Sequence, residues 1–343
     1  MHPNPMVGCI LVRDGQVVGE GWHEEYGGQH AEVNALARAG ELARGATAYV
    51  SLEPCNHFGK TPPCSMALRD AGVSRVVYGA QDPGPESGGG ARTLRESGVE
   101  VEGPLLSMDE ARMENPAFFH NALHSSTFVA IKMAQTLDGR VAAMRGKRTA
   151  ITGPEARLET HRLRAGFDGV MVGSETVLVD NPFLTVREEV PLRRPPARVV
   201  LDSDARTPPG AALFRDVPDV PVVIFTARDA PGPAVRRLTE AGALVHRIPG
   251  ESGGLSLEAM LATCWQAGLR SLFCEGGPKL ASSVLRAGRA GRMYLFVAPF
   301  VLGEAGVPAF PGGPSSESWK AWRHSAPPKL FGRDVLLTLD RKD

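Results

Sequence analysis

Ser51-Leu52-Glu53-Pro54-Cys55-Asn56-His57-Phe58-Gly59-Lys60-Thr61-Pro62-Pro63-Cys64 is the stretch that decides how this chain is read. A strand-like apolar run at 46–52 leads into Pro54-Cys55, and a second cysteine opens a short helical run at 64–71. Upstream, His30-Ala31-Glu32 heads a run at 30–39 in which Val33, Leu36 and Ala37 keep helical spacing and Gly40 supplies the stop. One imidazole and two thiolates suit zinc, and three protein ligands leave a fourth position for water. Zinc lowers the pKa of such a water to about 7, so hydroxide is available at neutral pH. Glu32 need not ligate: it can take the water's proton and pass it to a leaving amine. The positive helix ends at His30 and Cys64 favour anionic groups. His-x-Glu, then Pro-Cys and a further Cys, is the pattern of zinc nucleobase deaminases, here with the cysteines nine positions apart. The competing reading is a structural site closed by a fourth ligand from His57, His23 or Cys9. Cys9 alternates with Val7 and Leu11 in a strand and reads as core, as do Cys264 and Cys274 in apolar segments.

Outward from this centre the pattern is α/β. Runs at 6–12 and 17–22 flank Asp14-Gly15 and read as a β-hairpin. A strand at 73–79, a loop at 82–90 and a helix at 91–97 follow, which indicates a layered α/β domain. Residues 115–126 show no clear periodicity and mark a domain boundary. A second alternation runs beyond it: strands at 127–133, 168–173, 197–201, 220–225, 243–248, 270–274, 292–297 and 332–339, helices at 154–165, 233–241, 255–266 and 278–287. The expected domains are 1–120 and 126–343, in keeping with a length of 343 residues.

Composition narrows the class. Apolar residues are 43% and charged residues 22%, which excludes disorder. The net charge is zero, so the whole chain makes no case for a nucleic-acid partner. The charge is nonetheless divided. Residues 1–124 hold nine basic and sixteen acidic groups and the remainder 29 and 22, which points to two domains with different ligands, the second anionic. No apolar run approaches the roughly 18 residues of a membrane span. The start, Met-His-Pro-Asn-Pro, has no basic and apolar leader, so no signal peptide is expected. Five cysteines in a chain of this length are not a disulfide framework, and a cytoplasmic location fits them.

In the second half, Cys274-Glu275-Gly276-Gly277-Pro278 lies between a strand and a helix. Backbone N–H groups at such a turn can approach a phosphate, and Pro278 suits the first helical turn. No Gly-x-Gly-x-x-Gly follows the first strand of this half, so a Rossmann site is not expected. Arg164 and Arg187 have the chemistry of phosphate forks. Asp180 can instead cap the turn into Asn181-Pro182.

Pro3-Asn4-Pro5-Met6-Val7-Gly8-Cys9, His30-Ala31-Glu32 and the 51–64 stretch resemble the bifunctional riboflavin-biosynthesis deaminase/reductase family. The long insert ending Thr61-Pro62-Pro63-Cys64 sets that family apart from cytidine and tRNA-adenosine deaminases. The likeness continues through Lys132 to Arg140, Thr152-Gly153, Arg164-Ala165, Gly173 to Pro182, Leu184 to Arg187 and the Glu275 turn. It implies a cytidine-deaminase-like three-layer α/β domain followed by a dihydrofolate-reductase-like α/β domain. It implies zinc on His30, Cys55 and Cys64 with Glu32 as the proton shuttle, and deamination of a diaminopyrimidinone bearing a phosphoribosylamino group. Asn4, His23, Lys60 and Asp82 would line that pocket. The second domain would reduce the deaminated ribosyl compound with NADPH. The cofactor would meet Ala134, Ala150, Thr176, Asp180, Ser203, Gly277, Pro278, Lys279, Leu280, Ala281, Ser282 and Ser283, and the substrate Arg148, Arg164, Leu184, Arg187 and Glu275. A homo-oligomer without nucleic-acid or membrane partners is expected. The alternative is a zinc deaminase of another base whose second domain is not catalytic.

Three departures stand out. Gly84 replaces the Asn usual in its loop, so one substrate contact is missing or comes from elsewhere. Arg148-Thr149-Ala150-Ile151 replaces Ser-x-Trp-Ile, which removes an aromatic from the reductase site. The family has a helix before Pro-Asn-Pro, whereas this sequence starts at the motif, and an uncovered apolar strip on the first domain is the expectation.

Overall fold

Alternation builds the first hairpin. Cys9 and Leu11 point inward from β1 (Gly8–Arg13), Asp14 and Gly15 reverse the chain at positive φ, and β2 (Gln16–Trp22) returns antiparallel. The structure, a computed structural model, describes residues 5–24, 27–59, 62–187, 190–192, 194–251, 254–312 and 322–342. Its contacts divide the chain into two units, 1–125 and 126–343.

The first unit is a five-stranded sheet in the order β2-β1-β3-β4-β5, with β3 (Thr47–Leu52), β4 (Arg75–Ala80) and β5 (Glu100–Glu102). β1 is antiparallel to β2 and β3, and β3, β4 and β5 are parallel. Helices α1 (Ala31–Ala39), α2 (Cys64–Asp70) and α3 (Gly90–Glu96) share one core with it, in which Cys9, Leu11, Ala35, Val50, Leu68 and Leu94 are buried. α1 sits hard on β2. A Cβ on Gly21 would lie 2.3 Å from the Ala31 carbonyl oxygen and 2.4 Å from the Ala35 nitrogen.

The 115–126 region, read from sequence as patternless, is mostly helix α5 (Pro116–His124), which follows directly on α4 (Met108–Glu114). Each is about two turns long, too short to display an apolar period. Local signals make them: a capping box between Ser107 and Glu110, and Pro116 at the first helical position. Ala111 and Phe119 cover Leu52 and Ala80. Elsewhere on the sheet, Ile10, Tyr49 and Trp22 form an apolar strip, each between 43% and 47% exposed.

The second unit contains β6 (Phe128–Thr136), β7 (Arg140–Ala142), α6 (Pro154–Ala165), β8 (Gly169–Gly173), α7 (Ser174–Asp180), β9 (Ala197–Leu201), β10 (Val222–Ala227), α8 (Gly232–Glu240) and β11 (Leu244–Ile248). It continues through β12 (Gly250–Glu251), β13 (Gly254–Leu255), α9 (Leu257–Gln266), β14 (Ser271–Cys274), α10 (Pro278–Arg286), β15 (Arg292–Ala298), β16 (Val307–Pro308), β17 (Trp322–His324), β18 (Lys329–Phe331) and β19 (Asp334–Arg341). The main sheet runs β11-β10-β9-β8-β14-β6-β15-β19-β17, with β18 also on β19. The seven strands from β11 to β15 are parallel and β19 is antiparallel to β15. Parallel strands buried on both faces require helices on both. Val199 joins a core with Leu261, Ala281 and Val284, and its neighbour Val200 joins another with Val177 and Leu238. Cys264 and Cys274 are buried in the first of these, as their apolar settings suggested. Among the described residues no helix is long and apolar enough to cross a membrane.

Candidate active sites

The first site forms where two helices begin beside one strand end. His30 caps α1, Cys64 is the first residue of α2, and Cys55 follows β3. One ligand atom from each lies within 4.8 Å of the others, the only such metal-ligating group among the described residues. His30 Nδ1 is 3.2 Å from Cys64 Sγ and 3.5 Å from Cys55 Sγ, and the Cys64 amide donates to Cys55 Sγ at 3.3 Å. The Cys64 thiol, hydrogen-bonded to Cys55, pulls the Cys55 pKa down to about 4, with help from His30. The same bond, then burial, pushes Cys64 far up. Two sulfurs that share one proton beside an imidazole nitrogen form a donor set that fits a zinc ion, which binds in place of that proton.

Glu32, on the first turn of α1, is 4% exposed and faces this cluster. Burial raises its pKa to about 7, with the neighbouring Cys55 adding to the rise. A carboxyl poised near neutrality suits a group that both takes and gives a proton. A cavity of about 380 Å³ opens beside it, lined by His23, His30, Glu32, Cys55, Asp82 and Phe118 among others. His23 is buried, with Nδ1 3.2 Å from the Gln29 carbonyl and its ring edge-on to His30. Asp82 Oδ1 accepts from the Gly84 amide at 2.8 Å and from Ser87 Oγ at 2.9 Å. Gly84 thus contributes a backbone donor that orients Asp82, and no side chain. Asn4 and Lys60 lie outside the described residues. Cys9 is core and does not belong to the ligand cluster.

The second unit holds a larger cavity, about 760 Å³, at the ends of β6, β8, β9 and β14, the size of a small-molecule site. Ala134, Arg148, Thr176, Asp180, Ser203, Glu275, Gly277, Pro278, Lys279, Leu280 and Ser283 line it. Gly277 caps α10 in extended conformation without a side-chain cap, and its N–H donates to Thr176 Oγ1 at 3.2 Å. Asp180 has its pKa raised by burial, offset by Arg148. It ends α7 and faces the cavity, while Asn181 Oδ1 makes the local bond, to the Ala212 amide at 2.7 Å.

Not every expected residue is there. Ala281 and Ser282 are buried on the sheet side of α10, because an amphipathic helix cannot show every residue of a continuous run to one cavity. Ala150 is exposed outside the cavity lining. Leu184 is buried at φ +55°, a strained backbone for a residue with a side chain. The turn it makes lets the Thr185 carbonyl accept from Arg164 Nη1 and the Arg187 amide donate to His161 Nδ1 at 3.3 Å. Arg164 is not an open fork. Its Nε and Nη2 grip the two oxygens of Glu275 at 2.7 and 2.8 Å, so a phosphate would have to share it.

Sequence reading overlooked Lys132. This lysine lines the cavity from the middle of the apolar strand β6, beside Glu275 and Arg164. Burial lowers its pKa, and Glu275 opposes that shift. Glu275 in turn sits below the usual carboxylate range: burial alone would raise it, and Arg164 and Lys132 outweigh burial. A lone lysine inside Phe128-Val129-Ala130-Ile131-Lys132-Met133-Ala134 was the available signal, since lysines are rarely buried without a partner.

Comparison with known proteins agrees with this division. Residues 1–80 match the cytidine and deoxycytidylate deaminase zinc-binding region, and residues 127–329 match the RibD C-terminal domain. The riboflavin biosynthesis protein RibD of Aquifex aeolicus is 40% identical over 304 residues, 88% of this chain and 83% of that protein. Its counterpart in Escherichia coli K12 is 38% identical over 325 residues, 91% and 86% of the two chains. The solved structure of Acinetobacter baumannii RibD superposes with a TM-score of 0.83 at 33% identity, covering 100% of this chain and 94% of that one. A Thermotoga maritima structure described as a diaminohydroxyphosphoribosylaminopyrimidine deaminase/5-amino-6-(5-phosphoribosylamino)uracil reductase gives 0.82 at 32%, covering 99% and 93%. The cytidine-deaminase-like unit with its metal-ligating cluster, the reductase unit and their order therefore have one source: this chain belongs to the RibD family of bifunctional riboflavin-biosynthesis enzymes, deaminase and reductase in one polypeptide.

Proposed function

We propose that the first unit hydrolyses the exocyclic amine of diaminohydroxyphosphoribosylaminopyrimidine, and that the second reduces the resulting 5-amino-6-(5-phosphoribosylamino)uracil with NADPH. The observation that carries the deaminase half is the meeting of His30 Nδ1 and two cysteine sulfurs within 4.8 Å, with buried Glu32 against them. Zinc on these three ligands supplies an acidified water. Glu32 accepts that water's proton as its oxygen bonds to the ring carbon. It then donates the proton to the amine as the carbon–nitrogen bond breaks and ammonia leaves. His23 and Asp82 line the same cavity and hold the ring by its polar edge. Asn4 and Lys60 are assigned to the same substrate on family resemblance alone.

In the second unit, NADPH when bound supplies the hydride. Thr176, Asp180, Ser203 and the start of α10 would hold the cofactor, with the uncapped N–H groups beyond Gly277 available to its phosphates. Delivery of that hydride to the anomeric carbon would break the ring carbon–oxygen bond, and the ring oxygen would then take a proton from this chain. Lys132, an ammonium in the cavity wall whose pKa burial lowers against the opposing pull of Glu275, is the donor. Arg164 holds Glu275 ionised and in place beside it. Arg148 lines the same cavity, and Leu184 and Arg187 are assigned to the substrate on family resemblance alone.

Mass spectrometry of the diaminopyrimidine incubated with the chain tests both halves. Without NADPH one amine is replaced by oxygen; with NADPH the product gains two hydrogens. Deamination without reduction in the presence of bound NADPH removes the reductase half. Free nucleosides as the preferred substrates would favour a deaminase of another base.

A further inference from the structure

Glu53 lies between β3 and Cys55 and is 3% exposed. Its amide donates to the Ala80 carbonyl at 2.8 Å, which fixes the residue at the end of β4. Oε1 accepts from the amides of Gly89 and Ala91, each at 3.1 Å, and Oε2 accepts from Gln81 Nε2. Gln81 is itself held by Tyr78 OH at 3.1 Å. One buried carboxylate therefore grips both ends of the segment 81–91.

What it grips is pressed onto the turn that bears a proposed metal ligand. A Cβ on Gly90 would sit 1.8 Å from the Pro54 carbonyl oxygen, so the first turn of α3 lies directly on the peptide before Cys55. Between the two grips, the Asn56 amide donates to the Ser87 carbonyl at 2.8 Å and Gly88 donates to Gly84 at 3.0 Å. Ser87 Oγ and the Gly84 amide both bond Oδ1 of Asp82. Asp82 is thereby left with Oδ2 unpartnered among the described residues, in the wall of the deaminase cavity. Glu53 also lines that cavity, but its oxygens are spent on Gly89, Ala91 and Gln81.

We propose that Glu53 is a positioning residue of the deaminase: its carboxylate clamps the segment 81–91 onto the Pro54-Cys55 turn and so presents Asp82 to the substrate ring. The inference rests on the deaminase reading above. His30 and Cys64 have their own anchors at the heads of α1 and α2, and Cys55 is tied to α2 by the Cys64 amide on its sulfur and the Ser65 amide on its carbonyl, so loss of the clamp loosens substrate recognition first. Glu53→Gln keeps the shape and one oxygen able to accept both amides; Glu53→Ala keeps neither.

The test measures ammonia release from the diaminopyrimidine by the full chain, with zinc content determined for every variant. Glu53→Ala should raise KM about ten- to a hundredfold, the scale of one lost hydrogen bond to a charged group. kcat should change much less, zinc content should stay at that of the unmodified chain, and Glu53→Gln should restore most of the affinity. In the double variant Glu53→Ala/Asp82→Ala the KM should be close to that of Asp82→Ala alone, because the first residue acts through the second. An unchanged KM in Glu53→Ala, or effects that multiply in the double variant, overturns the clamp while the deaminase reading stands. If Glu53→Ala does not fold, Glu53→Gln decides by the same KM and double-variant comparison, with a smaller expected rise. No turnover of the diaminopyrimidine by the unmodified chain overturns the deaminase reading and the inference together.

Discussion

The two sites are built in opposite ways. In the first unit the reactive groups come from two helix starts and one strand end, and unlike chemistries converge: a nitrogen and two sulfurs within 4.8 Å, beside a buried carboxyl. In the second unit they are dispersed from Lys132 to Ser283 around a cavity of about 760 Å³, and two of the carboxylates there are already paired, Glu275 with Arg164 and Glu175 with Lys279. The difference is physical. Metal ligation demands particular donor atoms at fixed distances, so residue type alone is informative. A site that holds a large organic cofactor depends on shape and on backbone amides, which many residue types supply. The first site should fail abruptly when one atom changes, and the second by degrees.

The largest expected effect is on the first site. Glu32→Gln preserves shape and removes the proton carrier, and should slow deamination by about 10²–10⁴-fold. NADPH oxidation with deaminated substrate should be unaltered in that variant. A parallel fall in both activities would mean that the two units do not act separately. Metal removal probes the same contrast: a chelator, or Cys64→Ser, should abolish bound zinc and deamination and leave NADPH oxidation intact. Full metal content in Cys64→Ser would remove that cysteine from the ligand set.

For the second unit, Arg164→Ala takes from the half-buried Glu275 carboxylate its two-pronged partner and leaves only Lys132 beside it. Breaking such a pair costs about 3–5 kcal/mol, readable in denaturant unfolding of this unit. The pH dependence has a definite sign. Glu275 is held below the ordinary carboxylate range, so its stabilisation is present above its unfolded pKa and disappears as pH falls through the folded value. Arg164→Ala should flatten that acid dependence; an unchanged acid limb would show that the pair contributes nothing. Asp180→Asn should slow NADPH oxidation more gently and spare ammonia release. The smallest effect is at Ser107, where loss of the cap of α4 should cost about 0.5–2 kcal/mol in the first unit. No change in its melting would mean that α4 adds little to that unit.

Much of this was legible in the sequence where one physical signal dominates. The hairpin at Asp14-Gly15, the parallel strands of the second unit and the donor set of His30, Cys55 and Cys64 all follow from turn chemistry, apolar runs and ligand type. What stayed hidden depends on partners far away in the chain. Arg164 looks like an open fork until Glu275, 111 positions on, is seen to fill it. Lys132 is masked by an apolar strand, and Glu53 is masked by the motif that follows it. Ala281 and Ser282 entered the expected set through the family resemblance alone, and they are buried because a helix turns its residues away by about 100° at each step. α4 and α5 escaped because their signals are caps, not periods.

The seat of α1 on β2 has a consequence for where this enzyme can vary. Ala31, whose carbonyl lies 2.3 Å from where a Cβ of Gly21 would be, stands between His30 and Glu32. The positions of the nitrogen proposed to bind metal and of the oxygen proposed to carry the proton are thus gauged by a hydrogen atom on a strand with no proposed part in the chemistry. A single methyl group at Gly21 would act as a shim, lifting the whole head of the helix. Displacements of about 1 Å can cost a hundredfold in rate, so the residue least able to react is among those least free to change.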